Sequence, residues 1–592
     1  MINPDTQPLT NLRQFLKLLG EKGLLKEIND RLDPNLEIPE IHRRVIERGG
    51  PALLFKNPRG CKFPLVTNLF GTLERVRLAF GARPTQFIQD LVTLSDEMMP
   101  LKMSTLWKSR HLAMQALKLG IKDGSQGPIL NSGPVAPCFS QLPITTSWPE
   151  DGGPFITLPL VYTEHPTTGH HNLGMYRVQI YDDRTTGVHW QIGKGGGFHY
   201  HEAELLGRSL PVVIFNGGPP ALMLSAIAPL PENVPELILT SLLMNSKVKR
   251  VRIPESPLPL ISESEFAFVG EVAPKERRPE GPFGDHYGYY SLKHDHPVFR
   301  AKTFYHREDP IFSATVVGEP RQEDFYIGEY LQELLSPLFP KVMPAVRSLT
   351  TYGETGFHSL AAACVKVRYP KEALSTAFRI LGEGQLSLTK VLMLCDEEKV
   401  YRPFDAFLEH VLARADFRSD LHIISQSSQD TLDYTGPKVN EGSKMILMAT
   451  GEARYELELR EPVSCPEGVK DMRVYCSGCL VVEAEASYEQ RPKLAQDLVG
   501  EEALKAYRMI LVVDSIEETL KDEMSFLWVI FTRFEPAADV YSSSITLNRF
   551  HPELEAPIAI DCRMKPWYPG KLVMSTDVVR NVDAKWDRLF LK

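Results

Sequence analysis

A chain of 592 residues with 43% hydrophobic and 24% charged side chains has ordinary globular composition and room for two to four domains, which excludes a disordered or fibrous protein. Its 66 basic and 75 acidic side chains give a net charge of -9, so total charge predicts solubility and no nucleic-acid partner. No apolar run approaches the ~20 residues of a bilayer-spanning helix, and the start shows neither a basic segment nor a small-residue cleavage site; stable membrane insertion and secretion are not expected, and the cytoplasm is the expected location.

In chain order, Thr10 or Asn11 precedes apolar residues at Leu12, Phe15, Leu16 and Leu19, a one-sided stripe ended by Gly20, which predicts a capped amphipathic helix. Further helices ("EIPEIHRRVIERGG", "TLERVRLAFG", "PTQFIQDLVTL") alternate with short apolar runs ("PALLF", "FPLVTNLFG"), so residues 1–125 read as an α/β domain. From 126 to 325 short β-like runs punctuated by Gly and Pro predict a sandwich or barrel. The clearest hairpin there is "RVQIYDDRTTGVHWQI", two alternating runs flanking Asp182 to Gly187. Residues 326–592 return to α/β, with helices such as "GEYLQELLSPLF" and strands such as "RMILVVDS". They finish on an amphipathic helix, "DVVRNVDAKWDRLFLK", that docks on a neighbour or on its own domain. No repeat of fixed period is visible. Of eight scattered cysteines only Cys476 and Cys479 form a Cys-x-x-Cys pair, without the second knuckle of a zinc site, so they read as structural or incidental.

Side chains alternate along a strand, so Val178 and Ile180 share one face of the hairpin while Arg177, Gln179 and Tyr181 share the other. On the returning run Val188, Trp190 and Ile192 oppose His189, Gln191 and Gly193. With the apolar faces on the core, Arg177 and His189 line a polar cavity; the competing reading is a solvated surface. Asn172, five residues before Arg177, offers an amide oxygen for a hard cation, and a fixed guanidinium suits bidentate capture of a carboxylate. Glycines 193 to 197 around Lys194 wrap an anion or form a bare turn. Glu236 falls in the first turn of a helix opening after Pro235, where it is at least a favourable dipole partner. The segment "RRPEGPFGDHYGYYS", Arg277 to Ser291, is rich in Gly and Pro and reads as a loop carrying Glu280 and Asp285 on either side of a Pro-Phe-Gly turn.

With "EGPFGDHYGYYS" beside "HHNLGMYR", the chain resembles the UbiD family of prenylated-FMN-dependent decarboxylases over nearly its whole length. The resemblance implies an N-terminal α/β domain, a central split β-barrel that cradles the flavin, and a C-terminal α/β domain that makes a homo-oligomer. It places a catalytic trio on Arg177, Glu280 and Asp285 and cofactor contacts on Asn172, Arg177, Gln191, Lys194, Glu236 and Lys390, the last as a partner of the flavin phosphate. It places a divalent metal, manganese, on Asn172 and Glu236, with potassium as a further cation. The family's metal histidine falls near Gly193, which offers no ligand; weakened metal and cofactor retention is the expected consequence.

Loss of carbon dioxide from an unsaturated carbon needs an electron sink that no side chain provides, hence the cofactor, supplied by a flavin prenyltransferase. Within the resemblance Arg177 holds the substrate carboxylate, Asp285 orients Arg177, and Glu280, with a pKa raised by its crowded site, protonates the carbanion equivalent. Phe283 and tyrosines 287, 289 and 290 form a wall against water or simply pack the loop. The implied reaction is the reversible decarboxylation of an aromatic or α,β-unsaturated carboxylic acid, most similar to those of menaquinone or ubiquinone biosynthesis, with cinnamic-type and heteroaromatic acids left open. Two other classes compete: a metal-poor paralogue acting as a structural or regulatory subunit, and a metal-dependent hydrolase without flavin.

Overall fold

The first helix, Leu12–Glu21, begins where expected because the Asn11 side chain accepts the Gln14 N–H, and it buries Leu12, Phe15, Leu16 and Leu19. It belongs to a computed structural model that describes residues 9–97, 119–190, 195–228, 235–398 and 401–590. The fold is mixed α/β with several separate sheets, none of them closed among the described residues. Two compact units make it up, Met1–Leu334 with Lys571–Lys592, and Leu335–Gly570.

The first unit is built around an eight-stranded sheet whose spatial order runs Phe155–Ile156, Val178–Ile180, Thr185–Val188, His294–His306, Phe266–Glu280, Leu210–Asn216, Pro159–Glu164 and His171–Gly174. Every pairing in it is antiparallel. A four-stranded sheet combines Leu25–Ile28, Ala52–Phe55 and Leu65–Thr67 with Phe312–Ser313, so a strand from the middle of the chain completes the N-terminal sheet. One apolar cluster accordingly runs from Ile28, Ile38 and Phe55 through Val178, Val188 and Phe268 to Val582 and Leu589. The last two lie on the terminal helix Thr576–Phe590. That helix docks on its own unit: Asn581 and Lys585 donate to Glu37, and Arg44 pairs with Asp583.

The second unit contains two five-stranded sheets. One orders Val346–Thr351, Leu360–Val365, Val391–Cys395, Glu441–Ala449 and Leu421–Ser428; the other orders Val469–Cys476, Cys479–Ala484, Met509–Val513, Ile558–Asp561 and Val540–Ser542. In each, an antiparallel pair leads into two parallel steps and ends on an antiparallel edge strand. The unit is thus a topological duplication. No periodicity betrays it in the sequence because strand order depends only on where apolar runs fall, not on which residues compose them. Cys476 and Cys479 face each other across the Ser477–Gly478 turn of the second sheet, buried and unbridged.

Candidate active site

The hairpin pairs Val178 with Val188, both fully buried in the core. Arg177, one residue before its first strand, and His189, one after its second, therefore emerge on the opposite face, and the His189 N–H donates to the Arg177 carbonyl at 3.1 Å. The face is not a solvated surface, because both side chains turn inward and converge on one buried carboxylate. Arg177 Nε donates to Glu280 Oε1 at 2.7 Å and Nη2 to Oε2 at 3.0 Å, a bidentate fork, while Nη1 donates to Asp285. His189 Nδ1 lies 3.1 Å from Glu280 Oε2. The Phe283 ring lies under the guanidinium, 4.8 Å from its carbon.

The segment carrying the two acids is not loop throughout. Arg277 to Glu280 end the long strand Phe266–Glu280 and pair with Pro297 to His294, so Glu280 is fixed by a ladder and not by a flexible turn. The continuation of that strand to Glu280 was hidden in the sequence by its charged and proline-containing end. The chain then reverses between Gly281 and Ser291. Gly281 has φ +94°, a conformation that favours glycine, and a Cβ on Gly284 would stand 2.1 Å from Trp148 Cδ1. Asp151 holds the turn by accepting the Gly284 N–H at 2.8 Å, and Gln179 holds its start by accepting the Gly281 N–H at 2.9 Å. Ser291 Oγ takes both Arg177 Nη2 at 3.0 Å and the Phe283 N–H at 3.2 Å. Tyr287, Tyr289 and Tyr290 are all buried around the turn.

Burial pushes the Glu280 carboxyl up, but Arg177 and His189 outweigh it and hold the group well below the usual carboxylate range. This reverses the expectation of a raised pKa: crowding around Glu280 is cationic and hydrogen-bonding, not apolar. Asp285 is likewise lowered, His286 and Arg177 overcoming its burial. His189 is lowered by burial and by Arg177, so beside an ionised Glu280 it is neutral with its proton on Nδ1. His296 stacks on His189 at 4.2 Å between centroids, its Nε2 is 4.0 Å from Glu280 Oε2, and burial with the neighbouring His189 pushes it down to about 3.

His189, Glu280 and His296 offer donor atoms within 4.8 Å of one another, a set that could hold a metal ion. A cation there would meet the guanidinium that already grips both Glu280 oxygens, so the cluster is better described as a hydrogen-bonded one. Neither His296 nor Ser291 was found from sequence. His296 could have been, since it stands two residues beyond the Glu280 partner His294 and so shares its face.

Asn172 and Glu236 form a second group. Glu236 opens the helix Glu236–Met244 and accepts the Leu173 N–H at 3.1 Å, next to Asn172 on the strand His171–Gly174. Burial raises the Glu236 pKa, and no ion pair to it occurs among the described residues. Lys390 lies in the second unit, buried, with Nζ 2.7 Å from Asp433. Gln191, Gly193 and Lys194 lie outside the described residues; from Gly195 the chain is helical to Leu205.

Three family models match: the 3-octaprenyl-4-hydroxybenzoate carboxy-lyase N-terminal domain over residues 16–95, its Rift-related domain over 124–320 and its C-terminal domain over 325–449. A Chlamydia pneumoniae protein named as one of the subunits of a 4-hydroxybenzoate decarboxylase is 47% identical over 98% of this chain and 98% of its own length. An uncharacterised Chlamydia caviae protein is 46% identical over 99% of this chain and 100% of its own. Among solved structures, the Sedimentibacter hydroxybenzoicus vanillic acid decarboxylase shares the fold with TM-score 0.66 at 23% identity, over 78% of this chain and 97% of that one. The Pelotomaculum thermopropionicum enzyme HmfF, solved with prenylated FMN, gives TM-score 0.62 at 21% identity, over 76% of this chain and 96% of that one.

Proposed function

The chain belongs to the UbiD family of carboxy-lyases, and from that premise we propose that it is a non-oxidative, prenylated-FMN-dependent decarboxylase of an aromatic carboxylic acid. The observation that carries this reading is the convergence of Arg177, Glu280 and Asp285, remote in sequence, in one buried cluster. An arginine forked between two buried acids carries a desolvation cost that a scaffold protein has no need to bear. The relative named for 4-hydroxybenzoate makes phenolic benzoic acids the first substrates to assay, with aromatic precursors of menaquinone or ubiquinone next. A split-barrel flavin domain within 126–325, a homo-oligomer and cofactor supply by a flavin prenyltransferase complete the proposal.

The residues present fit the implied groups. Asn172 and the carboxylate of Glu236, raised by burial and lacking an ion-pair partner among the described residues, suit a divalent cation such as manganese. His189 Nε2 and Trp190 Nε1 are buried without partners among the described residues, the condition of a site that a polar ligand completes. Lys390 would meet a phosphate only as half of its ion pair with Asp433. When bound, prenylated FMN supplies the electron sink for the carbon–carboxylate bond.

Arg177 has the geometry to hold the substrate carboxylate. An anion competing for its guanidinium weakens the grip on Glu280, whose carboxyl then rises toward protonation at the moment a proton is required. Asp285, held by the N–H of His286, keeps Arg177 in place meanwhile. Glu280 then protonates the carbon that lost carbon dioxide, and the buried Phe283, Tyr287 and Tyr289 exclude water from it.

Coexpression with a flavin prenyltransferase, a visible spectrum and carbon dioxide release from 4-hydroxybenzoate and related acids test the reading. Bound modified flavin with carbon dioxide release supports it. Flavin-free hydrolytic activity, or bound flavin with no release from any aromatic acid, contradicts it; the second outcome favours the non-catalytic paralogue that Gly193 suggests.

A further inference from the structure

A proton donor that is fully buried must be reloaded after every turnover, and Glu280 is 0% exposed. Its oxygens have few neighbours. Arg177 takes one side of both, and a guanidinium does not give up a proton at neutral pH. Asp285 sits on the far prong of the same guanidinium. On the remaining side stand two imidazoles: His189, with Nδ1 3.1 Å from Glu280 Oε2, and His296, stacked on it with Nε2 4.0 Å from the same oxygen. Side-chain exposure rises along this series, 0% at Glu280, 8% at His189 and 14% at His296.

We propose that His189 and His296 are positioning residues that deliver a proton from solvent to Glu280 Oε2 once in each turnover, when a bound substrate anion loosens the grip of Arg177, an inference that rests on the decarboxylase reading above. His296, the outermost of the three, meets water; it gains a proton at one ring nitrogen as it releases one from the other toward His189, and so stays neutral. His189 Nε2, buried and unpartnered among the described residues, is the free lone pair that receives the proton. As an N–H bond forms at Nε2 the Nδ1–H bond breaks, and its proton goes to the Glu280 carboxylate; the ring ends neutral in its other tautomer, and proton exchange with water restores the first before the next turnover. Water or a buffer acid is the source, and no redox partner is required. Burial keeps both rings uncharged at rest, helped by Arg177 and, at His296, by His189 and His294, and opposed by Glu280 and, at His189, by Asp285, so they pass a proton and do not store one. His296 is placed for this by the strand pairing that sets Arg278 opposite it and Glu280 opposite His294.

His296→Gln and His189→Gln holoenzymes, each made with the prenyltransferase, test the relay through carbon dioxide release in water and in deuterium oxide. In both, kcat falls by about tenfold or more with KM and the flavin spectrum unchanged, the solvent isotope effect grows, and added imidazole restores part of the rate. His296 is the more peripheral, so its variant remains informative if His189→Gln does not fold. Wild-type kcat and isotope effect in His296→Gln overturn the relay, as does a loss that imidazole does not restore. A stoichiometric metal in the wild type that His296→Gln lacks overturns it too, by making the cluster a metal centre. Wild-type holoenzyme that releases no carbon dioxide defeats the decarboxylase reading itself, and the relay with it.

Discussion

Arg177 makes more contacts with the cluster than any lysine could: Nε and Nη2 fork onto Glu280, Nη1 reaches Asp285, Nη2 reaches Ser291, and the plane lies on Phe283. Arg177→Lys keeps the charge but loses the fork, and kcat/KM should fall by roughly a hundredfold or more, read from carbon dioxide release. A variant within a factor of two of wild type would remove Arg177 from the chemistry. At Gly193 the prediction concerns metal: Gly193→His raises manganese content of purified holoprotein severalfold if the absent imidazole limits retention. Equal content removes that role. Arg177 and His189 were legible in the sequence because strand alternation sets them on the polar face of one hairpin. Ser291 and His296 were not, because their roles come from cross-strand pairing and from a turn whose closure only the fold reveals.

At the scale of elements, the turn Gly281 to Ser291 brings Asp285 back to the arginine, and packing on Trp148 and the carboxylate of Asp151 are among the contacts that hold it. Gly284→Ala would drive a methyl group to 2.1 Å from the Trp148 ring, at a cost of about 1–3 kcal/mol, read as a lower Tm with weakened activity. An unchanged Tm would mean the turn is not packed as described. Asp151 accepts the N–H groups of Ser147, Trp148 and Gly284, and burial raises its pKa to about 7. The folded protein then binds this proton more tightly than the unfolded chain, whose aspartates titrate near 3.9, so stability from this group is present below pH ~4 and lost as pH rises to about 7. Relative to Asp151→Asn, the wild type should therefore lose thermal stability between pH 5 and pH 7.5, measured by the difference in Tm. A difference that stays constant or grows with pH contradicts the assignment. The loop reading of residues 277–291 was right for the turn and missed the strand end, since ladder pairing with His294 to Pro297 outweighs the local preference of charged and proline residues.

Over the whole molecule, amphipathic periodicity made several helices legible, from Leu12–Glu21 to Thr576–Phe590, and missed others such as Glu372–Leu381 and Glu523–Thr532. It could not show that the terminal helix would pack beside Glu37 and Arg44, some five hundred residues away in sequence, or that the second unit repeats one strand order twice. Val582 carries the docking of that helix, fully buried in the core of the first unit. Val582→Asp buries an unpaired charge and should cost several kcal/mol, read as a marked fall in Tm; a wild-type Tm would show that the helix does not dock there.

The claim on which the rest depends is that Glu280 delivers the proton that replaces carbon dioxide. Carbon dioxide release by Glu280→Gln holoenzyme is its most direct test, since glutamine preserves the shape of the side chain and cannot donate an acidic proton. The account predicts a fall in kcat of about a hundredfold or more with the flavin spectrum retained. Turnover at the wild-type rate, with flavin bound, would contradict it.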